Sequence, residues 1–279
     1  MTLRLLMTSS SDKGIRTIMT ADYDHTPSFY KNEETFRKYL GQTSYYRALQ
    51  TAVLQLSDYI KPSSIAELGS GTGATACALA AAHPQSRVIS VDFRSEMIEL
   101  CRREAEKSAL ANISLYTSDM ANFFSDHPSP DLTVMLYSFH HLIDPEENKV
   151  NFLRHAHEAM NPGQYLCIGE TFLPEHYARV GELAAVDRLW SVRPLEGYAS
   201  TFWAALEGVS QEAISLASEV GRFSFENEYK AGEMVRHRNG EYLITLSWLV
   251  TNASDAGFQV LIAEPVNSVG DGVVLMKKQ

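Results

Sequence analysis

The chain has 279 residues, of which 45% are hydrophobic and 21% are charged, proportions typical of one large globular domain or a domain with an insertion. Its 24 lysine and arginine residues stand against 34 aspartate and glutamate residues, a formal charge of −10. This balance argues against nucleic acid and anionic membrane as partners, because both are bound largely by cationic side chains.

The first part of the chain lacks the regular pattern that follows it. Residues 1–22 are rich in serine, threonine and aspartate, so we expect a mobile arm there. From Tyr46 onward, apolar residues recur every three or four positions up to Pro62, which predicts a helix packed on the next domain. We assign residues 1–60 to an N-terminal arm and helical cap.

Short apolar runs then alternate with helical patterns up to about residue 170, which is typical of βαβ units in an α/β fold with a parallel sheet. The predicted strands are residues 64–68, 87–92, 113–117, 132–137 and 165–170. The predicted helices are residues 73–83, a helix capped by Ser95, and residues 144–160, which begin with the capping-box sequence Asp144-Pro145-Glu146-Glu147.

Residues 171–240 interrupt this alternation. Helical patterns around residues 177–190 and 210–220 predict a helical insertion that could act as a lid. After it, the sequence predicts a helix over residues 242–256 and strands over residues 258–264 and 272–277, with a turn near residues 267–271.

The sequence contains no signal for export or for a metal centre. No apolar run approaches the roughly 18 residues that a membrane span needs, and the first apolar stretch is too short for a secretory signal, so we expect a cytoplasmic protein. The cysteines Cys77, Cys101 and Cys167 form no CxxC pair, which predicts reduced, buried thiols.

A glycine-rich loop follows the first predicted strand. The segment Glu67-Leu68-Gly69-Ser70-Gly71-Thr72-Gly73 leads into a predicted helix, where glycines allow a tight turn and let backbone amides approach a ligand. Asp92 ends the second predicted strand, 19 residues beyond Gly73. A carboxylate at that place can accept hydrogen bonds from a ribose diol, so the pattern predicts a nucleotide or nucleoside ligand.

Two kinds of ligand compete for this loop. Gly69 and Gly71 with Ala74 satisfy the dinucleotide fingerprint GxGxxG/A. The acid at Glu67, however, would repel a pyrophosphate and would favour a sulfonium or ammonium group. A cationic ligand therefore fits better.

These motifs resemble those of the class I S-adenosylmethionine-dependent methyltransferases of the small-molecule type, over residues 40–170 and more weakly over 242–277. The segment ELGSGTG is similar to the first motif of the family, Asp92 to its ribose-binding acid, and Ser118-Asp119-Met120 to the place where an aspartate meets the adenine amino group. The resemblance implies S-adenosyl-L-methionine as cofactor. The implied cofactor-binding residues are Glu67, Gly69, Ser70, Gly71, Gly73, Asp92, Asp119, Met120 and Tyr137.

The resemblance also implies a Rossmann-like, seven-stranded, mostly parallel sheet with an antiparallel C-terminal hairpin. Residues 61–170 and 241–279 would then form the cofactor-binding core. Asn161-Pro162-Gly163 is similar to the turn before the fifth strand of the family, although many relatives have glycine where this chain has Gln164.

The implied reaction is in-line transfer of the sulfonium methyl group to a nitrogen or oxygen atom of a small molecule. His140 and His141 follow the fourth strand, at the edge where parallel sheets place ligands, and either could serve as a general base, with His141 slightly ahead. Alternatively, one of them packs against the cofactor or caps the next helix. We expect no metal shared with Asp144 and Glu170, because adjacent histidines on a strand end point to opposite sides.

Two segments outside the minimal fold are rich in aromatic residues, namely Tyr23, Phe29, Tyr30, Phe36, Tyr39, Tyr45 and Tyr46 before it and Trp190, Tyr198, Phe202 and Trp203 in the insertion. An aromatic lid would suit an acceptor with an aromatic or hydrophobic body. Equally, these rings could form the core of the lid or a homodimer contact.

Two other functions stay open: an NAD-dependent oxidoreductase, and a non-catalytic protein that binds S-adenosylmethionine or S-adenosylhomocysteine.

Overall fold

The computed structural model describes residues 44–142, 148–172, 244–266 and 271–279. Several predicted features lie outside the described residues: the N-terminal arm, the insertion with its aromatic side chains, the capping box at Asp144 and most of the turn near residues 267–271. The domain boundaries at residues 60 and 170 therefore stay predictions.

Seven strands form one sheet in the order β3-β2-β1-β4-β5-β7-β6. They are β1 Ser64–Leu68, β2 Arg87–Asp92, β3 Ile113–Thr117, β4 Leu132–Leu136, β5 Tyr165–Thr171, β6 Phe258–Pro265 and β7 Asp271–Lys278. The first five are parallel, while β7 runs antiparallel to both β5 and β6. The predicted sheet and its antiparallel C-terminal hairpin are confirmed.

Helices pack on both faces of this sheet. In the described ranges they are α1 Ser44–Ile60, α2 Ala74–Ala82, α3 Ser95–Lys107, α4 Phe123–Asp126, α5 Val150–Ala159 and α6 Leu246–Asp255. Because side chains alternate along a strand, Ile65 of β1 joins the cluster under α1 and α2, whereas Ala66 joins the cluster under α5 and α6. Strands β1, β2, β4 and β5 are largely buried on both faces, which explains why they appear as continuous apolar runs in the sequence.

Two helix starts differ from the prediction. Arg94 occupies the N-cap position of α3 without a side-chain hydrogen bond, so Ser95 is not the cap. Helix α6 begins at Leu246, four residues later than predicted, because the Thr245 hydroxyl accepts a hydrogen bond from the Trp248 amide at 3.1 Å. A side-chain acceptor at this position satisfies one of the free amides of the first turn.

The turn before β5 uses a side chain where glycine was expected. Gln164 accepts a hydrogen bond from the Asn161 amide at 2.7 Å and donates one to the Ser129 carbonyl at 2.8 Å. Gly163 has a φ of 94°, so the required left-handed residue is present. The Gln164 side chain thus stabilises the turn with its own hydrogen bonds, so the residue that departs from the family pattern still fits the turn.

The amino-terminal edge of the sheet is fixed by a single carboxylate. Asp131, just before β4, accepts hydrogen bonds from the amides of Ser63 at 2.8 Å and Ser64 at 3.1 Å. Partial burial would raise the pKa of Asp131, but these donors and the Ser63 hydroxyl outweigh it and lower the pKa. This edge lies opposite the glycine-rich loop.

Cys77, Cys101 and Cys167 are all free and buried, as the sequence predicts. Of the helices in the described ranges, none has the length and apolar composition needed to span a bilayer.

Candidate functional site

The glycine-rich loop lies at the carboxyl end of β1 and is held from below by β2. The amides of Gly69 and Ser70 both donate to the Val91 carbonyl, at 2.8 and 2.9 Å. The Ser70 hydroxyl accepts a hydrogen bond from the Ser90 hydroxyl at 2.7 Å. The Ser70 side chain is therefore committed to the sheet, and it is the loop backbone that lines the edge.

The three glycines of the loop have positive φ angles but different surroundings. A Cβ on Gly69 would lie 2.4 Å from the Cβ of Ser138, and one on Gly73 would lie 2.1 Å from the Cys101 sulfur. A Cβ on Gly71 would meet nothing within 4 Å. Two glycines therefore permit close packing, whereas Gly71 faces open space, where a ligand can approach the backbone.

Asp92 binds this loop directly. One carboxylate oxygen accepts the Gly71 amide at 2.8 Å and the other accepts the Arg94 amide at 2.9 Å. Burial raises the pKa of Asp92, and the two amides oppose that rise. Since each carboxylate oxygen has a second lone pair, Asp92 can hold the loop and still accept a hydrogen bond from a ligand hydroxyl.

Glu67 lies beneath the loop, with only 2% of its surface exposed. Burial raises its pKa well above the ordinary value, while hydrogen bonds from the Ala76 amide and the Thr75 hydroxyl oppose the rise. Within the described part of the chain, its second oxygen, Oε2, is buried without a hydrogen-bond partner. A buried acceptor without a donor is costly, and such groups occur where a ligand or a proton completes the site.

The third strand contributes a short turn beside the loop. The Asp119 carboxylate accepts the Ala121 amide at 2.9 Å and so caps its own 3₁₀ turn. The Met120 sulfur lies 3.5 Å from the position a Cβ on Gly69 would occupy. Phe93, next to Asp92, is 41% exposed. Phe93 was not among the predicted site residues, although a large apolar residue directly after a strand-ending acid is a signal that could have indicated it.

Tyr137 follows β4 with a φ of 51°, a left-handed conformation that is strained for a bulky side chain and typical of functional sites. Its amide donates to the Gly169 carbonyl at 2.9 Å, and its ring stacks on Tyr46 with centroids 5.7 Å apart. Burial raises the pKa of Tyr137 well above the ordinary value, and Asp271 raises it further. The hydroxyl therefore stays protonated at neutral pH.

The two histidines lie on a 3₁₀ turn, Phe139–His141, and not on an extended strand end. Their ring centroids are 4.1 Å apart. The prediction that the rings point to opposite sides is therefore wrong, because the turn sets their direction. Even so, no group of three or more potential metal ligands occurs in the ranges that the structure describes, and Asp144 lies outside them.

His140 is oriented by Glu170 from the neighbouring strand. Its Nδ1 lies 2.9 Å from a Glu170 oxygen, which also accepts the His140 amide at 3.1 Å. Glu170 is 1% exposed and accepts the Thr171 amide at 2.9 Å through its other oxygen. Burial raises the pKa of Glu170, yet His140 and these amides outweigh burial and lower it. With Nδ1 held by Glu170, Nε2 is the ring nitrogen directed away from that carboxylate.

The structure brings only some of the predicted site residues together. Gly69, Gly71, Gly73 and Asp92 form one hydrogen-bonded unit at the carboxyl edge of the sheet, with Met120 against it. Glu67 lies underneath, and the carboxylate of Asp119 is engaged in its own turn. The Glu170–His140 pairing was not foreseen, although both residues had been placed near strand ends.

Parts of the chain are similar to known methyltransferases. Residues 65–163 match a family model described as a methyltransferase domain. A stretch of 59 residues is 41% identical to the release factor glutamine methyltransferase of Escherichia coli (strain K12), and it covers 21% of each chain.

Solved structures share the fold at low sequence identity. The S-adenosylmethionine-dependent methyltransferase SibL has a TM-score of 0.53 at 21% identity, over 82% of this chain and 54% of that one. NcsB1, an O-methyltransferase bound to S-adenosylmethionine and 2-hydroxy-5-methyl naphthoic acid, gives 0.55 at 16% identity, over 92% and 60%. Human N-acetylserotonin methyltransferase, bound to S-adenosylmethionine, gives 0.55 at 16%, over 93% and 60%. The chain matches little more than half the length of these proteins.

Proposed function

We propose that this chain, which carries a class I methyltransferase domain, transfers the methyl group of S-adenosylmethionine to a nitrogen or oxygen atom of a small organic molecule. The hydrogen bond between Asp92 and the Gly71 amide carries this proposal, because it joins the ligand loop and the diol-binding carboxylate into one unit. Both lie at the carboxyl edge of a parallel sheet, where such folds bind nucleotides.

The residues present fit this cofactor. The open side of Gly71 admits a ligand to the loop backbone, and Asp92 is placed for a ribose diol. The exposed ring of Phe93 and the Met120 side chain offer apolar surface to an adenine base. When bound, S-adenosylmethionine supplies an already activated methyl group on a sulfonium centre.

Glu67 supports a cationic ligand over a dinucleotide. Among the described residues, no group donates a hydrogen bond to the buried Oε2 of Glu67. A ligand ammonium group could supply that hydrogen bond directly or through water. A pyrophosphate brings only acceptors and negative charge to the same region. A ligand ammonium group would also oppose the raised pKa of Glu67 and favour its carboxylate form, whereas a pyrophosphate would raise that pKa further. The rival hypothesis of an NAD-dependent enzyme is therefore disfavoured.

For the acceptor's proton we propose His140 as general base, ahead of His141. The buried Glu170 carboxylate at 2.9 Å holds Nδ1, so Nε2 can take a proton from an acceptor hydroxyl or amine. Glu170 would then stabilise the imidazolium that forms. A positioned base is worth roughly 10² to 10⁴ in rate, and the remaining acceleration comes from alignment and exclusion of water.

A small acceptor is supported by the formal charge of −10 and by the fold relatives. NcsB1 was crystallised with a substituted naphthoic acid, and the human relative is named for N-acetylserotonin, both small aromatic molecules. We propose an acceptor with an aromatic or hydrophobic body on these grounds. Homodimer formation and a cytoplasmic location stay predictions.

The first test is calorimetric titration of the full chain with S-adenosylhomocysteine and, separately, with NAD. We expect binding of S-adenosylhomocysteine alone. Tritium transfer from methyl-labelled S-adenosylmethionine to a panel of small phenols and amines then tests catalysis. Binding of NAD in place of S-adenosylhomocysteine would overturn the proposal, whereas S-adenosylhomocysteine binding without transfer to any acceptor would favour the non-catalytic alternative.

A further inference from the structure

Lys149, at the start of α5, is a fully buried lysine, with 0% of its surface exposed. Its ammonium group donates to the carbonyl oxygens of Leu142 and, at 3.3 Å, of His140. It also lies 5.3 Å from the centre of the Phe139 ring. Burying an ammonium group is expensive, so it persists only where hydrogen bonds and π contacts replace its hydration.

These three partners belong to a single turn, residues 139–142, which also carries the proposed base. The turn is held from two sides. Glu170 in β5 binds the ring and the amide of His140, whereas Lys149 in α5 binds the carbonyl of the same residue. The chain thus places a buried negative and a buried positive charge around His140.

We infer that Lys149 is a positioning residue for His140: its ammonium fixes the carbonyls of the turn and thereby keeps the imidazole ring against Glu170. This inference rests on the proposed function, since it assigns Lys149 a role through the base of the transfer. An apolar side chain of similar size could fill the same space without the cost of burying a charge.

The charge of Lys149 has a second effect on His140. An ammonium group nearby disfavours the imidazolium, whereas the carboxylate of Glu170 favours it. The His141 ring lies on the same turn, with its centroid 4.1 Å from that of His140. Tyr137 interacts electrostatically with both Glu170 and Asp271. Removing only the positive charge should therefore make the His140 ring easier to protonate.

The test is NMR titration of the histidine rings in the full chain, with the His140 signals assigned from a His140→Gln variant. Lys149→Met removes both charge and donors, Lys149→Gln removes the charge and keeps donors, and Lys149→Arg keeps both. We expect the titration midpoint of His140 to rise by about 0.5 to 1 pH unit in the Met and Gln variants. The Arg variant should titrate as the parent does.

The ¹⁵N chemical shifts of the His140 ring give a second readout, the position of the ring proton. The parent and Lys149→Gln should keep the proton on Nδ1, while Lys149→Met should show a mixture of the two ring tautomers. Midpoints and tautomers equal to those of the parent in both uncharged variants would overturn the inference. If Lys149→Met does not fold, the midpoint in Lys149→Gln decides alone.

This experiment needs no acceptor, so it separates the two proposals. S-adenosylhomocysteine affinity should stay within about threefold of the parent in each variant, because the contacts described for Lys149 lie in the turn of residues 139–142 and not in the glycine-rich loop. Failure of the parent to bind S-adenosylhomocysteine would reject the proposed function. Unchanged histidine spectra with intact S-adenosylhomocysteine binding would reject the role of Lys149 alone.

Discussion

The carboxylate of Asp92 accepts the backbone amide of Gly71 at 2.8 Å, so the end of β2 fixes the tip of the loop that follows β1. The same side chain also accepts the Arg94 amide at 2.9 Å. One buried acid thus shapes the ligand loop and presents lone pairs to the same cleft. Replacing Asp92 should therefore lower ligand affinity in two ways: the ligand loses a hydrogen-bond acceptor, and the glycine-rich loop loses the acceptor that holds the Gly71 amide.

Replacing Asp92 with alanine should weaken S-adenosylhomocysteine binding by roughly 1.5 to 3 kcal/mol, the cost of losing hydrogen bonds to a charged group. Isothermal titration calorimetry measures this change. The matched control is Asp131→Ala at the opposite edge of the sheet, where the carboxylate holds Ser63 and Ser64. That variant should lose stability and keep its affinity. Equal affinity in Asp92→Ala and the parent would remove Asp92 from the site.

Gly73→Ala should destabilise the fold much more than Gly71→Ala. Both residues have positive φ, and the left-handed conformation costs a side chain about 1 to 2 kcal/mol. Only at Gly73 would the new Cβ overlap the Cys101 sulfur, at 2.1 Å, and overpacking adds about 1 to 3 kcal/mol. Urea unfolding of both variants measures the difference. Equal midpoints would show that the contact with Cys101 relaxes freely.

The sheet could be predicted because the sequence patterns that indicate its strands are local. Strands buried on both faces appear as short apolar runs, and most consecutive parallel strands are separated by a helix with its own periodicity. The glycine-rich loop and Asp92 could be singled out because nucleotide-binding loops of this kind restrict both residue type and spacing. Helix starts were less accurate. The N-cap of α6 depends on one hydroxyl, that of Thr245, in a sequence where several residues could begin a helix.

The histidine turn was not predictable in the same way. The sequence shows two histidines after a strand, but the 3₁₀ turn that brings their rings together is held by residues outside the turn. Glu170 lies 30 positions after His140, and Lys149 nine positions after it. A lysine also normally indicates a solvent-exposed position, so nothing in the pattern suggested that Lys149 is buried.

Substitutions at the two histidines should separate their roles. His140→Gln and Glu170→Gln should each slow methyl transfer, the first by roughly 10² or more, since a positioned base is lost. His141→Gln should stay within about threefold of the parent, because the dyad with Glu170 involves His140. Single-turnover rates with a verified acceptor and saturating S-adenosylmethionine measure these effects. A large loss in His141→Gln with a small one in His140→Gln would reverse the assignment.

Glu67 and Glu170 are both buried at the carboxyl edge of the sheet, and they should have opposite effects on how stability depends on pH. Burial raises the pKa of Glu67, so the folded state keeps a proton that the unfolded chain releases near its ordinary pKa of 4.5. The free energy of unfolding should then fall as the pH rises above 4.5. Glu67→Gln removes this loss, so at pH 8 it should be more stable than the parent.

For Glu170 the sign is reversed, because His140 and backbone amides outweigh burial and lower its pKa below the ordinary 4.5. Its contribution to stability should be fully present above pH 4.5 and should disappear as the pH falls through the lower, folded-state pKa. Glu170→Gln should therefore be less stable than the parent at pH 7, and the gap should close in acid. Urea unfolding of the parent and both variants between pH 2 and pH 8 measures the two slopes. Parallel curves for all three proteins would mean that neither carboxyl has the electrostatic environment described, and a stabilised Glu170→Gln at pH 7 would contradict the pairing with His140.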